Sequence, residues 1–129
     1  MTTFSPTRPL TLALAILALV LAGCGESEED KFASEVNEIC SDATKDIRAA
    51  SGKSDELVAV IDKFVADLKA ADPPEGKKDD YEAWVATQEK TFNELKAGIR
   101  ADDRERVNAV SETAGDDQAR ELGLDSCTG

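Results

Sequence analysis

Three pairs of adjacent aspartates are the side chains in this sequence that could most directly bind a metal ion. They are Asp79-Asp80, Asp102-Asp103 and Asp116-Asp117. Carboxylate oxygens are the ligands that Ca²⁺ and Mg²⁺ prefer, so one hypothesis is a hard-cation site in an acidic loop. None of the pairs has the ligand spacing of a calcium-binding loop, and each falls where a helix is expected to begin. Negative charge is favourable at a helix N-terminus, so we interpret the pairs as caps and predict no metal site.

Aromatic side chains provide a second candidate site, for a partner protein or for a small apolar ligand. Tyr81 and Trp84 follow the rigid Pro73-Pro74 loop and would form a recognition patch beside it. A pocket between the second and third predicted helices would be lined by Phe64, Trp84 and Phe92. The alternative is that these aromatics fill the core, because their helical spacing is that of a buried face. Core packing is the more common use of such residues, and the sequence leaves both interpretations open.

The composition gives little support to catalysis. The chain contains no histidine, which is the usual general base near neutral pH. It also lacks a Gly-x-Ser-x-Gly elbow, a phosphate-binding loop and a dinucleotide fingerprint. Paired carboxylates could hydrolyse a glycoside only in a deep cleft, for which a small domain leaves little volume. We therefore predict that the protein is not an enzyme and carries no cofactor.

The N-terminal segment carries the most specific motif of the chain. Arg8 precedes an apolar run from Leu10 to Ala22, and this run leads into Leu21-Ala22-Gly23-Cys24. The layout resembles the lipobox signal peptide of bacterial lipoproteins. The resemblance implies that residues 1–23 are removed, that Cys24 receives fatty chains such as palmitate, and that the protein is anchored on the extracytoplasmic face of the cell membrane. The alternative is an uncleaved transmembrane anchor, but the run is shorter than the about 20 residues that a span needs.

Lipidation of Cys24 would leave two cysteines, Cys40 and Cys127. An exported protein folds in an oxidising compartment, where an even number of cysteines favours disulfide formation. We therefore predict a Cys40–Cys127 disulfide. The alternatives are two buried free thiols and, with less support because histidine ligands are absent, a metal site.

The rest of the sequence indicates an acidic tether at residues 24–30 and a helical domain at residues 31–129. Apolar residues recur at helical spacing, and no segment alternates as a strand would. The predicted helices run from about Glu28 to Ala50, from Ser54 to the stop at Asp72-Pro73-Pro74, from about Asp79 to Arg100, from Asp102 or Asp103 through Val107 and Val110 to Ala114, and from Asp116 to Leu122. Short connections between amphipathic helices favour an all-α, up-down four-helix bundle with a short fifth helix.

Charge and a second resemblance bear on function. A formal net charge of −12 repels phosphate backbones, so we exclude nucleic acid as a partner. Pro73-Pro74, the stretch from Tyr81 to Trp84 and the ending from Glu121 to Cys127 resemble small helical lipoproteins of high-GC Gram-positive bacteria. That resemblance implies a location and a fold but no activity. We predict a non-catalytic interaction module for an envelope protein; the alternative is binding of a small apolar ligand or of a hard cation such as calcium.

Overall fold

The computed structural model describes residues 25–129, so Cys24 and the predicted signal peptide lie outside the described residues. Five α-helices occur in this part of the chain: α1 (Glu28–Ala49), α2 (Ser54–Ala70), α3 (Lys78–Arg100), α4 (Arg104–Asn108) and α5 (Asp116–Glu121). Single 3₁₀ turns occur at Glu75–Lys77 and Asp125–Cys127. Residues 25–129 contain no strand, which confirms the predicted all-α class. Over the same range, no helix is both long enough and apolar enough to cross a bilayer.

The three long helices follow the predicted up-down path. α1 packs against α2, and α2 packs against α3. Ion pairs between Asp62 and Lys96 and between Lys69 and Glu89 show that α2 and α3 run in opposite directions, because a later residue of α2 meets an earlier residue of α3. The first turn of α1 contains only acidic residues, and the side chain of Ser27 caps it by accepting a hydrogen bond from the backbone N–H of Asp30 at 3.1 Å.

The end of α2 is held by a side chain from the beginning of α3. Ala71 leaves the helix in an extended conformation, as expected before the Asp72-Pro73-Pro74 stop. The hydroxyl of Tyr81 donates a hydrogen bond of 2.8 Å to the backbone carbonyl of Leu68. This carbonyl is one of the last in α2 and has no partner within the helix, so the tyrosine satisfies a group that would otherwise be buried without one.

The core lies between the long helices and the C-terminal segment. Its largest fully buried side chains come from four parts of the chain: Trp84, Ile61, Leu68, Leu124 and Val36. Leu124 is as buried as the helical residues although it follows α5 in a short loop. The C-terminal segment therefore completes the core that the three long helices leave open.

The predicted fourth helix is shorter in the structure than in the prediction. α4 ends at Asn108, so Val110 and Ala114 lie in the loop that follows it. Serine and threonine at positions 111 and 113 are weak helix formers, and Gly115 has a left-handed φ of +85° that a right-handed helix cannot contain. In addition, the side-chain amide of Gln88 in α3 donates to the carbonyl of Ala114 at 2.8 Å. That contact fixes the loop on α3.

Candidate functional site

The structure places the aromatic residues of the predicted ligand patch in the core. Trp84 is fully buried, and Tyr81 and Phe64 are 2% and 8% exposed. Phe92 is half-buried and meets Phe64 edge to face, with ring centroids 5.3 Å apart. These contacts fill the space between α2 and α3 in which the pocket was predicted. The core interpretation is therefore correct for Trp84. Tyr81 and Phe64 are also buried, but each borders a surface depression, Tyr81 between α2 and α3 beside Pro73 and Phe64 between α1 and α2.

The three aspartate pairs have different environments. Asp103 is the N-cap of α4, and its Oδ1 accepts a hydrogen bond from the backbone N–H of Arg106 at 3.0 Å, as predicted. Asp79 and Asp80 lie in the first turn of α3, where their charge is favourable, but no side chain caps that helix. Among residues 25–129, no three acidic or cysteine side chains are grouped so that they could hold a metal ion.

The prediction that Asp116 caps the last helix is wrong. The N-cap of α5 is Gly115, and Asp116 is the first residue of the helix and is 7% exposed. Its Oδ1 instead accepts a hydrogen bond from the backbone N–H of Gly129 at 3.2 Å, and Arg120 lies 3.6 Å from Oδ2. The carboxylate therefore fixes residue 129 rather than the start of a helix.

The predicted Cys40–Cys127 disulfide is confirmed. The two Cα atoms are 5.1 Å apart, and the bond links α1 to a segment 87 residues later. Asn37, one turn before Cys40, adds two hydrogen bonds to the same segment. Its Nδ2 donates to the carbonyl of Gly123 at 3.0 Å, and its Oδ1 accepts from the backbone N–H of Ser126 at 2.8 Å. The predicted lipidation site, Cys24, is outside the described residues.

A groove between α1 and α2 is one of several surface depressions in residues 25–129, and it is the one lined by the carboxylates of α1. Its volume is about 220 Å³. Apolar side chains from both helices contribute to its lining, namely Ile39, Ala43, Val60 and Phe64. The charged lining consists of five carboxylates and one ammonium group, namely Glu35, Glu38, Asp42, Asp46, Asp67 and Lys63. We call this feature the α1–α2 groove; it combines an apolar lining with a strongly negative rim.

Lys63 is the single lysine that lines the α1–α2 groove, and the direction of its pKa shift indicates the sign of the local electrostatic field. Lys63 Nζ donates to Asp67 at 2.6 Å within α2. The pKa of Lys63 is raised, mainly by this hydrogen bond and by the charge of Asp67, and further by Asp46 and Asp42 of α1. On the α1 side, the pKa of Lys45 is raised in the same way by Asp42, with smaller effects of Asp46 and Glu38. Carboxylates of α1 therefore act across the groove, and the field that they produce favours cations.

The sequence contains a signal for this groove in the spacing of its acidic residues. The carboxylates at positions 35, 38, 42 and 46 recur every three or four residues, which places them along one side of a helix. Such a charged stripe ordinarily faces solvent and needs no functional explanation. In this structure the carboxylate stripe of α1 differs from an ordinary one because Val60 and Phe64 of α2 lie beside it. This arrangement depends on how α1 packs on α2.

Comparison of the chain with protein-family models, with curated proteins and with solved structures found no significant match in any of the three.

Proposed function

We propose that this chain is a lipid-anchored, non-catalytic protein of the cell envelope that presents the α1–α2 groove to a protein partner. The observation that carries the proposal is the groove itself, in which buried and partly buried apolar side chains of α1 and α2 lie beside a row of four carboxylates on α1 and a single carboxylate, Asp67, on α2. Of the aromatic residues predicted to line a small-ligand site, Trp84 is fully buried and Phe92 is half-buried, while Phe64 lines this groove. Between residues 25 and 129 we find no grouping of acidic side chains suited to a metal ion, so a cation-binding role has less support.

The position of α1 relative to the motif at Cys24 supports an anchored role. α1 begins at Glu28, inside the segment predicted as tether, so three residues separate Cys24 from the helix. Three extended residues reach about 10 Å, which would keep the start of α1 near the membrane surface. The lining residues on α1 run from Glu35 to Asp46, about 10 to 27 Å along the helix from its start at 1.5 Å per residue. A partner in the aqueous phase could reach the groove at that height.

Anchoring is tested by replacing the proposed lipidated residue, Cys24→Ser. We expect the unmodified chain to label with a fatty-acid analogue and to fractionate with membranes. The variant should lose the label. A chain that never incorporates the analogue would contradict the anchored role.

The interaction role is tested by photo-crosslinking in living cells. A photoreactive amino acid is placed at Glu38, which lines the α1–α2 groove, and in a second variant at Glu112, which is exposed and does not line it. We expect the groove position to give a reproducible crosslinked protein. Failure to capture a partner from Glu38, or equal capture from both positions, would contradict an interaction role for the groove, whatever the partner's chemistry.

A further inference from the structure

We infer that the α1–α2 groove binds a basic amphipathic helix of the partner protein, with an apolar side chain inserted between α1 and α2 and with lysines or arginines along the acidic rim. This inference rests on the proposed function, since it specifies the partner of the same site.

The size of the groove favours an inserted side chain over a free small molecule. Pockets for drug-sized ligands usually measure about 300 to 1,000 Å³, whereas this groove measures about 220 Å³. The space is lined by Val60 and Phe64 from α2 and by Ile39 and Ala43 from α1, all apolar. A leucine-like side chain presented by a helix would fill such a space, as in other complexes where an amphipathic helix lies in a hydrophobic groove.

The length of the groove fits about three turns of helix. Glu35 and Asp46 mark its extent along α1 and are 11 positions apart, which corresponds to about 16 Å of helix. A helical ligand of that length would present apolar residues at three- and four-residue spacing to the groove and charged residues on both flanks. The carboxylates of α1 recur at the same spacing, so cations of a bound helix could face them in succession.

The charge distribution favours a ligand with several separated cations. Among the described residues, Glu35, Glu38 and Asp46 form no ion pair, while Asp42 and Asp67 pair only with largely exposed lysines. The carboxylates are therefore available, but no three of them converge as a metal ion would require. An anionic lipid surface would be repelled by this rim, which excludes membrane as the occupant. A row of lysine or arginine side chains matches the separation of the carboxylates.

Lys63 would compete with the cations of the bound helix for the carboxylate of Asp67. Its ammonium group bonds Asp67 at 2.6 Å on the α2 side of the groove, and its side chain is 70% exposed, so it can move away. A cation of the partner would replace it at Asp67. Removing this charge should therefore strengthen binding, whereas reversing charges on α1 should weaken it.

The inference is tested with model peptides on the full-length chain in a nonionic detergent, with detergent alone as the blank. The probes are a fluorescent leucine–lysine amphipathic helix, a leucine–glutamate counterpart and an alanine–lysine helix of equal charge. We expect only the leucine–lysine helix to bind well. The double variant Glu38→Lys/Asp42→Lys should weaken its binding at least about tenfold, since like charges then meet across the interface. Lys63→Gln should strengthen binding by about threefold.

Two controls distinguish binding in the α1–α2 groove from nonspecific attraction of a cationic peptide to the net negative charge of the protein. Glu112→Lys/Asp117→Lys changes the net charge by the same amount at exposed positions outside the groove and should leave affinity within about twofold. Val60→Ala should weaken the leucine–lysine helix but not the alanine–lysine helix, because only the former inserts an apolar side chain. Equal loss in both double variants, or equal binding of the two cationic helices, would overturn the inference.

The two proposals fail in different experiments. If crosslinking captures a partner but the leucine–lysine helix does not bind, the interaction role stands and the basic-helix inference is wrong. If crosslinking captures nothing from either position, the proposed function itself is wrong.

Discussion

The indole ring of Trp84 lies against the backbone of Gly115, so that the loop after α4 is seated directly on the largest buried side chain of the core. A β-carbon built on Gly115 would be 3.2 Å from Cδ1 of Trp84 and 3.3 Å from Nε1. It would also be 2.7 Å from Nε2 of Gln88, the group that donates to the carbonyl of Ala114. The left-handed φ of +85° and the close approach both require glycine at this position.

Gly115→Ala should therefore lower the free energy of unfolding by about 2 to 3 kcal/mol. About 1 to 2 kcal/mol comes from placing alanine in a left-handed conformation, and the rest from displacing the Gln88 amide from its acceptor. Urea unfolding followed by far-ultraviolet circular dichroism measures the change. Gly52→Ala is the matched control, because Gly52 has a similar φ of +83° but nothing within 4 Å of its built β-carbon. Equal losses in the two variants would show that the contact with Trp84 and Gln88 has no effect.

The bounds of the long helices could be predicted because their signals are local. α3 ends at Arg100, as predicted. α2 begins at Ser54, also the predicted start, but Ser54 is its first helical residue and not, as predicted, its N-cap, which is Lys53. The end of α2 could also be predicted, because proline restricts its own backbone and that of the preceding residue. The role of Asp116 could not be predicted, because its partner, the N–H of Gly129, comes close only after the C-terminal segment has folded onto the core.

The candidate site was less predictable than the fold for the same reason. The pairing of Cys40 with Cys127 followed from counting cysteines once Cys24 was set aside, and it did not require the fold. The aromatic residues gave two interpretations, since helical spacing is common to a core and to a ligand pocket. The α1–α2 groove depends on which face of α1 lies beside Val60 and Phe64. The sequence shows the row of carboxylates on α1, but it does not show that Val60 and Phe64 of α2 pack beside that row.

Removal of the disulfide should destabilise the domain strongly. In the chain-entropy model, closing a loop of 87 residues stabilises the folded state by about 4 to 5 kcal/mol. The double variant Cys40→Ala/Cys127→Ala should approach that loss, and reduction of the unmodified protein should give a comparable one. Urea unfolding with and without reductant measures both effects. The double variant serves as the control for the reductant, since its own unfolding curve should not move when reductant is added.

Tyr81→Phe should remove a pH-dependent part of the stability. Burial raises the pKa of the Tyr81 phenol above its ordinary value of 10.0, and the nearby carboxylate of Glu35 raises it further. The neutral phenol therefore stabilises the fold fully below pH 10, and this contribution is lost as pH rises above 10, where the unfolded chain ionises first. The loss in the unmodified protein should be up to about 1.4 kcal/mol per pH unit.

Lysines titrate in the same pH range, but they do so in both the unmodified protein and Tyr81→Phe. The difference in stability between the two therefore isolates the effect of the Tyr81 phenol. At pH 8 we expect Tyr81→Phe to be less stable by about 1 to 2 kcal/mol, because the carbonyl of Leu68 loses its hydrogen bond. Between pH 10 and 11 the difference should shrink as the unmodified protein loses its advantage. Urea unfolding at several pH values measures this difference, and parallel stability profiles would show that folding does not shift the pKa of the phenol.

Asn37 should control the local opening of the C-terminal segment, since it donates to the carbonyl of Gly123 and accepts from the N–H of Ser126. Asn37→Ala removes both bonds and should cost about 1 to 2 kcal/mol. Because the disulfide still holds Cys127, we expect the amide of Ser126 to exchange faster with solvent while the long helices keep their protection. Asn37→Asp retains the oxygen that accepts from Ser126 and loses the donor to Gly123, so it should preserve most of that protection. Hydrogen exchange followed by nuclear magnetic resonance distinguishes the variants, and an unchanged Ser126 rate in Asn37→Ala would mean that the disulfide alone fixes the segment.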